Sequence, residues 1–427
     1  MSEFRAEVFQ NEYLPAGADT VDAIVTVVAD GVRPAAAGSS AREFVELILL
    51  DTSGSMSEER GRKMRGAIEA TQAAISTIGD GVYFAVVGGN SGAYMIYPRE
   101  GLAVADDRTR SEARDRAGRM EASGGTAIGT WLQAGAYLAG LQPGATAHAI
   151  LLTDGKNQHE EQWVLDQAIA ACVGRFQCDA RGVGADWDVA ELRRVASGLL
   201  GTADIIPSPE EMAAEFTRLT ETALGRDSGS VVLRLWTPKG SDIEFVKQVA
   251  PSLEDLTGSA VEVDDLTSDF ALGAWSAGEE RDYHVKVRIP VGDVGDERLA
   301  ARVALVVDDE PAPPSLVRAV WTDDEALSTR INREVAHYTG QAELADVIAE
   351  GLAAREEGDE VLATMKLGRA VQIAHAAGND ATVRLLQNVV TVDDADAGTV
   401  RLRRDVAKSD EMMLDVRSTR TVRVSKN

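Results

Sequence analysis

The chain has 427 residues, a length that accommodates about three domains, with 44% hydrophobic and 26% charged residues, the balance of an ordinary globular protein. Its formal net charge of −26 offers no field that draws phosphate, which argues against a general binder of nucleic acid or of anionic membranes. Such an excess of acid fits partners that are basic, or partners reached through a cation.

The first residues, Met1 to Glu7, show no basic stretch followed by an apolar one, so no secretory signal is expected. No apolar run is long enough to span a bilayer. Cys172 and Cys178 are too few for a disulfide framework and read as reduced core thiols, so the expected location is the cytoplasm.

Residues 1–38 contain two β-like runs, Phe4–Tyr13 and Thr20–Ala29, separated by the turn residues Leu14-Pro15-Ala16-Gly17. A lone hairpin is too small to be stable, so it should join strands from elsewhere. Ala35 to Ser40 reads as a linker.

Over residues 40–225, strand-like and helix-like segments alternate, which predicts a doubly wound, mostly parallel α/β sheet of Rossmann-like type. The run Val45-Glu46-Leu47-Ile48-Leu49-Leu50 is apolar almost throughout, as a strand covered on both faces must be. Met64, Ile68, Thr71 and Ile75 then follow at helical spacing. Val82–Val87 is the next strand, and Gly88-Gly89-Asn90-Ser91-Gly92 folds it back on Ala93–Tyr97. The loop Ser123-Gly124-Gly125-Thr126 precedes a helix over Ala127–Ala139, and the strand His148–Thr153 ends in Asp154-Gly155-Lys156-Asn157.

Over residues 229–310 the period changes to two, as in Val231–Trp236 and His284–Pro290, which predicts an antiparallel β-sandwich completed by the N-terminal hairpin. Pro311-Ala312-Pro313-Pro314 reads as the exit from it. Residues 324–390 carry helical spacing and predict a small C-terminal helical domain, one helix of which is ended by Gly378-Asn379 in the manner of a C-cap. Residues 391–427 form a basic tail, with Arg401, Arg403, Arg404, Lys408, Arg417, Arg420, Arg423 and Lys426 against Asp405, Asp410, Glu411 and Asp415. The favoured expectation is that it folds back on the acidic body; the rival is a partner-binding or phosphorylated tail around Ser418-Thr419-Arg420-Thr421.

Three loops carry chemistry. Asp51-Thr52-Ser53-Gly54-Ser55 follows a buried strand, where open α/β sheets place their ligands, and offers only hard oxygen donors that suit Mg²⁺ or Mn²⁺. Thr126 and Asp154 stand at corresponding element ends. Each loop alone is explained by helix capping, whereas all three together are not. Five scattered histidines show no metal-ligand spacing, and no Gly-x-Ser-x-Gly elbow or phosphate loop occurs. Asp394 to Gly398 resembles a calcium loop but its glycine arrives one position early.

With those residues in order, the region 40–225 resembles the von Willebrand factor type A family, of the bacterial intracellular type with an accompanying β-sandwich. That family's metal-ion-dependent adhesion site is Asp-x-Ser-x-Ser plus a distant threonine and a distant aspartate. The resemblance implies a metal site of Asp51, Ser53, Ser55, Thr126 and Asp154, with the three hydroxyls as direct ligands and the aspartates orienting them. It implies Mg²⁺ or Mn²⁺ as cofactor and a partner protein that presents an Asp or Glu carboxylate. An ATPase chaperone, or a kinase or forkhead-associated signalling protein, is the implied kind of partner. Met56, Gly125, Lys156 and Asn157 flank the site and are the candidates for touching it. The expectation is a non-enzymatic interaction module; the alternative is a magnesium-dependent hydrolase of phosphatase or nuclease type, which lacks an evident general base.

Overall fold

The computed structural model describes residues 3–30, 43–307 and 310–423. The chain segregates into two compact units, Pro34–Asp227 and the remainder on either side of it in sequence. The linker read at Ala35 to Ser40 lies outside the described residues.

In the unit Pro34–Asp227 the strands lie in the order Ala203–Ile206, Gln177–Val183, Thr146–Thr153, Phe44–Asp51, Tyr83–Gly89 and Ala93–Tyr97. The first five are parallel to one another, and Ala93–Tyr97 runs antiparallel as the glycine-rich turn requires. Both faces are covered. Ile48, Leu50, Ile150 and Leu152 enter one core with Met64, Ala67 and Ile75 of helix Glu58–Thr77 and with Met212 and Phe216 of helix Met212–Leu224. Leu47, Leu49, Ala149 and Leu151 alternate with them and are equally buried. Each such side chain contributes about 1.5–3 kcal/mol on leaving water. A strand so loaded cannot slip by one residue without exchanging one buried face for the other.

That register fixes the functional edge. Leu50 pairs with Leu152 and Asp51 with Gly89, so Asp51 and Thr153 end their strands at the same level. From Phe44–Asp51 the chain steps one way to Tyr83–Gly89 and later the other way through Thr146–Thr153. The strand order therefore reverses beside Asp51, where sheets of this kind leave a crevice.

The other unit contains a β-sandwich. One sheet runs Glu3–Gln10, Thr20–Asp30, Glu280–Arg288, Asp242–Ala250 and Glu254–Asp255, so the N-terminal hairpin does join distant strands. The second sheet contains Arg226–Trp236, Thr267–Ser276 and Glu297–Val307 and extends to Ser315–Thr322, past the boundary expected at residue 310. The proline-rich segment is no exit. Glu310–Pro311 pairs back on Val306 and Val307, and the chain then enters a strand with Val317, Ala319 and Trp321 inward.

Helices Arg333–Glu356, Glu360–Ala376 and Asp380–Val389 follow, capped by the side chains of Asn332, Asp359 and Asn379. The segment read as a basic tail is folded among its described residues. Val390–Asp394 and Thr399–Leu402 form a hairpin, and helix Lys408–Ser418 buries Met412, Leu414, Val416 and Ser418. Arg401 pairs with Asp393 at 2.7 Å within the hairpin, whereas Arg423 reaches Asp282 at 2.7 Å on strand Glu280–Arg288. Ser418 is 4% exposed, and its hydroxyl donates to Asp415 O at 2.6 Å. Asp394 caps the hairpin turn through the Ala397 amide. At the turn, Gly398 has a φ of +66° and lies so close to Gly368 that a Cβ would be 2.7 Å from its carbonyl oxygen. No helix of the described residues is long and apolar enough to cross a membrane.

Candidate metal site

Asp51 closes its strand with a carboxylate that is 0% exposed and turns inward. One oxygen accepts the Ser53 amide at 2.7 Å and the other accepts the Thr153 hydroxyl at 2.6 Å. Asp51 therefore shapes the Ser53 loop and ties it to the neighbouring strand. Ser53 stands before a short 3-10 turn, Gly54–Ser57, yet makes no capping hydrogen bond, so its hydroxyl is not spent on the helix. The hydroxyls of Ser53 and Ser55 are 2.9 Å apart, and Ser55 donates to Asp154 Oδ1 at 2.6 Å. With that proton committed, Ser53 is the donor to Ser55.

The second loop is pinned to the first by its backbone: the Gly54 amide donates to Gly124 O at 2.9 Å and the Ser123 amide to Thr52 O at 2.7 Å. Thr126 is brought in by these bonds. A Cβ on Gly155 would lie 3.4 Å from Ser55 Oγ and 3.7 Å from Thr126 Oγ1, so both hydroxyls face the same glycine of the third loop. All five residues singled out by sequence are brought together: Asp51, Ser53, Ser55, Thr126 and Asp154.

Asp154, 0% exposed, has one oxygen on Ser55, and its Oδ2 faces Lys63. The Nζ of Lys63 lies 2.8 Å from that oxygen as an ion pair. Burial alone depresses the ammonium, but the hydrogen bond and charge of Asp154 more than restore it, and its pKa lies above the ordinary lysine value. Among the described residues Asp51 has no ion-pair partner, and burial pushes its carboxyl up to about 6 against the pull of Ser53 and Thr153. Two buried carboxylates thus face one buried ammonium. The remaining negative charge, with neutral hydroxyls arrayed beside it, is what a divalent cation fits. Among the described residues no group of three or more His, Cys, Asp or Glu could hold a metal.

Two of the flanking candidates are corrected. Met56 is 0% exposed and packs in the core with Ile48 and Met64, because the 3-10 turn directs it inward. Asn157, 9% exposed, accepts the Ile128 amide at 3.0 Å and donates to Glu160, capping the helix that follows Thr126. Neither is available to a partner. Lys156 is exposed and Gly125 half-buried.

Sequence reasoning missed Lys63, Thr153 and His159. Thr153 adjoins Asp154 and could have been found there; Lys63 carries no local signal. The His159 ring lies over Gly125, and its Nδ1 accepts the Thr126 amide at 3.1 Å. It is the basic group that sequence did not place near the loops, but its Nδ1 lone pair is engaged in holding Thr126.

A doubly wound sheet that delivers Asp-x-Ser-x-Ser, a separate threonine and a separate aspartate to one edge defines a von Willebrand factor type A domain. The family model described as von Willebrand factor type A domain matches residues 47–205, and that described as von Willebrand factor type A C-terminal domain matches residues 372–418. The solved structure of a von Willebrand factor type A protein from Catenulispora acidiphila is 46% identical with a TM-score of 0.91, covering 99% of this chain and 98% of its own. The chain belongs to the von Willebrand factor type A family. The ArnB paralog VWA2 from Sulfolobus acidocaldarius (13% identity, TM-score 0.59) covers 97% of this chain and 98% of its own. Human COPII-coat protein Sec24c (10% identity, TM-score 0.51) covers 88% of this chain and 58% of its own; these two share the fold alone. Comparison with curated protein sequences returned no significant match. Domains of this family are generally interaction modules.

Proposed function

We propose that the chain is a divalent-metal-dependent protein-interaction module of a bacterial cytoplasmic complex, which captures a partner's Asp or Glu side chain at the Asp51, Ser53, Ser55, Thr126 and Asp154 cluster. The observation that carries this reading is the pairing of converging hydroxyls with two buried carboxylates that a single ammonium leaves uncompensated. Ser53, Ser55 and Thr126 would hold Mg²⁺ or Mn²⁺ directly, while Asp51 and Asp154 orient them. When bound, the cation supplies an electrophilic position that a carboxylate fills, which lets an acidic protein hold an acidic side chain. Lys156, exposed and two residues after Asp154, would add a second point of attraction. The partner classes that the resemblance implies are an ATPase chaperone or a kinase or forkhead-associated signalling protein. Buried free thiols at Cys172 and Cys178 agree with a reducing compartment.

Calorimetric titration with Mg²⁺ tests this reading, combined with partner capture in Mg²⁺ and in chelator. The expected result is one cation per chain and capture only in Mg²⁺, both lost in Asp51→Ala with the fold retained. Capture that persists in chelator, or that Asp51→Ala leaves at full strength, would contradict it.

A further inference from the structure

Helix Glu58–Thr77 sends Lys63 behind the candidate site, where its side chain is 4% exposed. Its Nζ lies 2.8 Å from Asp154 Oδ2, 3.4 Å from Glu58 Oε2 and 3.9 Å from Asp186 Oδ2. Glu58 and Asp186 are 61% and 71% exposed, so water and salt screen them, whereas Asp154 is sealed from solvent. The ammonium is therefore committed to the one carboxylate that belongs to the site.

We propose that Lys63 is a built-in counter-charge that weakens the site's hold on a metal alone and makes the metal depend on an incoming carboxylate. The inference rests on the reading of Asp51, Ser53, Ser55, Thr126 and Asp154 as a divalent-cation site. Lys63 cancels the charge of Asp154, so the buried donor set meets a divalent cation with the charge of Asp51 only. Three positive charges against two negative ones leave the loaded site one positive charge in excess, and a single carboxylate restores neutrality. Metal and carboxylate then improve each other's binding by the same factor, as linkage requires. Lys63 also gives Asp154 a cation in the metal-free chain, so the loops keep their arrangement before loading.

The test titrates the intact chain with Mn²⁺ alone, read by calorimetry and by the electron paramagnetic resonance signal of free Mn²⁺. Lys63→Met removes the charge at similar length, and its Mn²⁺ dissociation constant is expected to fall by about tenfold or more, a buried neighbouring charge being removed. Lys63→Arg keeps the charge and is expected to stay close to the parent. Ser53→Ala, alone and combined with Lys63→Met, assigns the binding to the site and should abolish it in both backgrounds. Should Lys63→Met fail to fold, Lys63→Gln carries the same expectation. If Ser53-dependent binding is present in the parent and the neutral variants bind no tighter, the counter-charge proposal is overturned and the metal site stands. If no variant shows Ser53-dependent binding, both are overturned. Tight binding that appears only when Lys63 is neutral supports the proposal.

Discussion

Glu46, His148 and Asp179 lie on three adjacent strands of the sheet whose far edge carries Asp51 and Asp154, and they make a second cluster of buried charge. His148 Nδ1 is 3.1 Å from both Glu46 oxygens, and its Nε2 is 3.0 Å from Asp179 Oδ2. Burial alone would depress the imidazole; the Glu46 charge and the hydrogen bonds to Asp179 and Glu46 overcome that and hold it at about 9. Burial likewise pushes Asp179 up, but the His148 hydrogen bond and the Arg181 charge draw it well below the ordinary carboxylate range. This cluster is closed: both ring nitrogens are used, and Asp179 Oδ1 also accepts the Thr202 amide at 2.7 Å. The edge cluster has the same two carboxylates, one cation, and hydroxyls in place of the second set of bonds. Two carboxylates on one sheet thus become a structural rivet or a ligand site according to whether their neighbours use up their bonding capacity.

The largest expected effect comes from opening the closed cluster. His148→Leu removes the imidazolium between two buried carboxylates, and unfolding free energy should fall by about 3–5 kcal/mol in urea titration, the usual result of removing one member of a buried ion pair. Next comes pH. The folded imidazole binds its proton more tightly than the unfolded one, so unfolding releases a proton. The stabilisation is full below an ordinary histidine value of 6.5, declines above it and is exhausted beyond about 9. The shift is worth about 3 kcal/mol at most. Unfolding curves from pH 6 to 10 should show this decline in the parent and lack it in the His148 variant. On the acid side the sign reverses, because depressed Asp179 stabilises above the ordinary carboxylate value and that contribution is lost as pH falls.

The edge cluster should respond in the opposite sense. Thr126→Ala is expected to lower Mg²⁺ affinity by about tenfold to a hundredfold, the range typical of an altered metal environment, while the melting temperature of the metal-free chain changes little. A loss of stability comparable to that of the His148 variant would erase the distinction between the two clusters. The smallest effect belongs to Lys156→Ala: stability should stay within about 0.5 kcal/mol, as for exposed positions generally, while capture of a carboxylate-bearing partner weakens.

The edge cluster was legible in sequence because its residues sit where an apolar strand stops or just before a helix begins, and the chemistry is local to three short loops. Partnerships across strands were not. Glu46 was visible inside an apolar run, but its meeting with His148 depends on the pairing register, which sets those two residues opposite each other. Lys63 sits beside Met64 in an amphipathic helix, and its burial follows from the tertiary placement of Asp154. Met56 and Asn157 misled for the converse reason: a loop residue next to a site reads as exposed, whereas one fills the core and the other caps a helix. The basic segment after residue 391 hid its buried apolar residues, Met412, Leu414 and Val416, among charged ones.

The central claim is that Ser53, Ser55 and Thr126 present their hydroxyls to one divalent cation. A crystal soaked in Mn²⁺ and measured at the manganese absorption edge tests it directly. The account predicts a single anomalous peak within bonding distance of all three hydroxyl oxygens, absent from the Ser53→Ala crystal. A peak bonded elsewhere on the chain, or none at these loops with Mn²⁺ in excess, would contradict it.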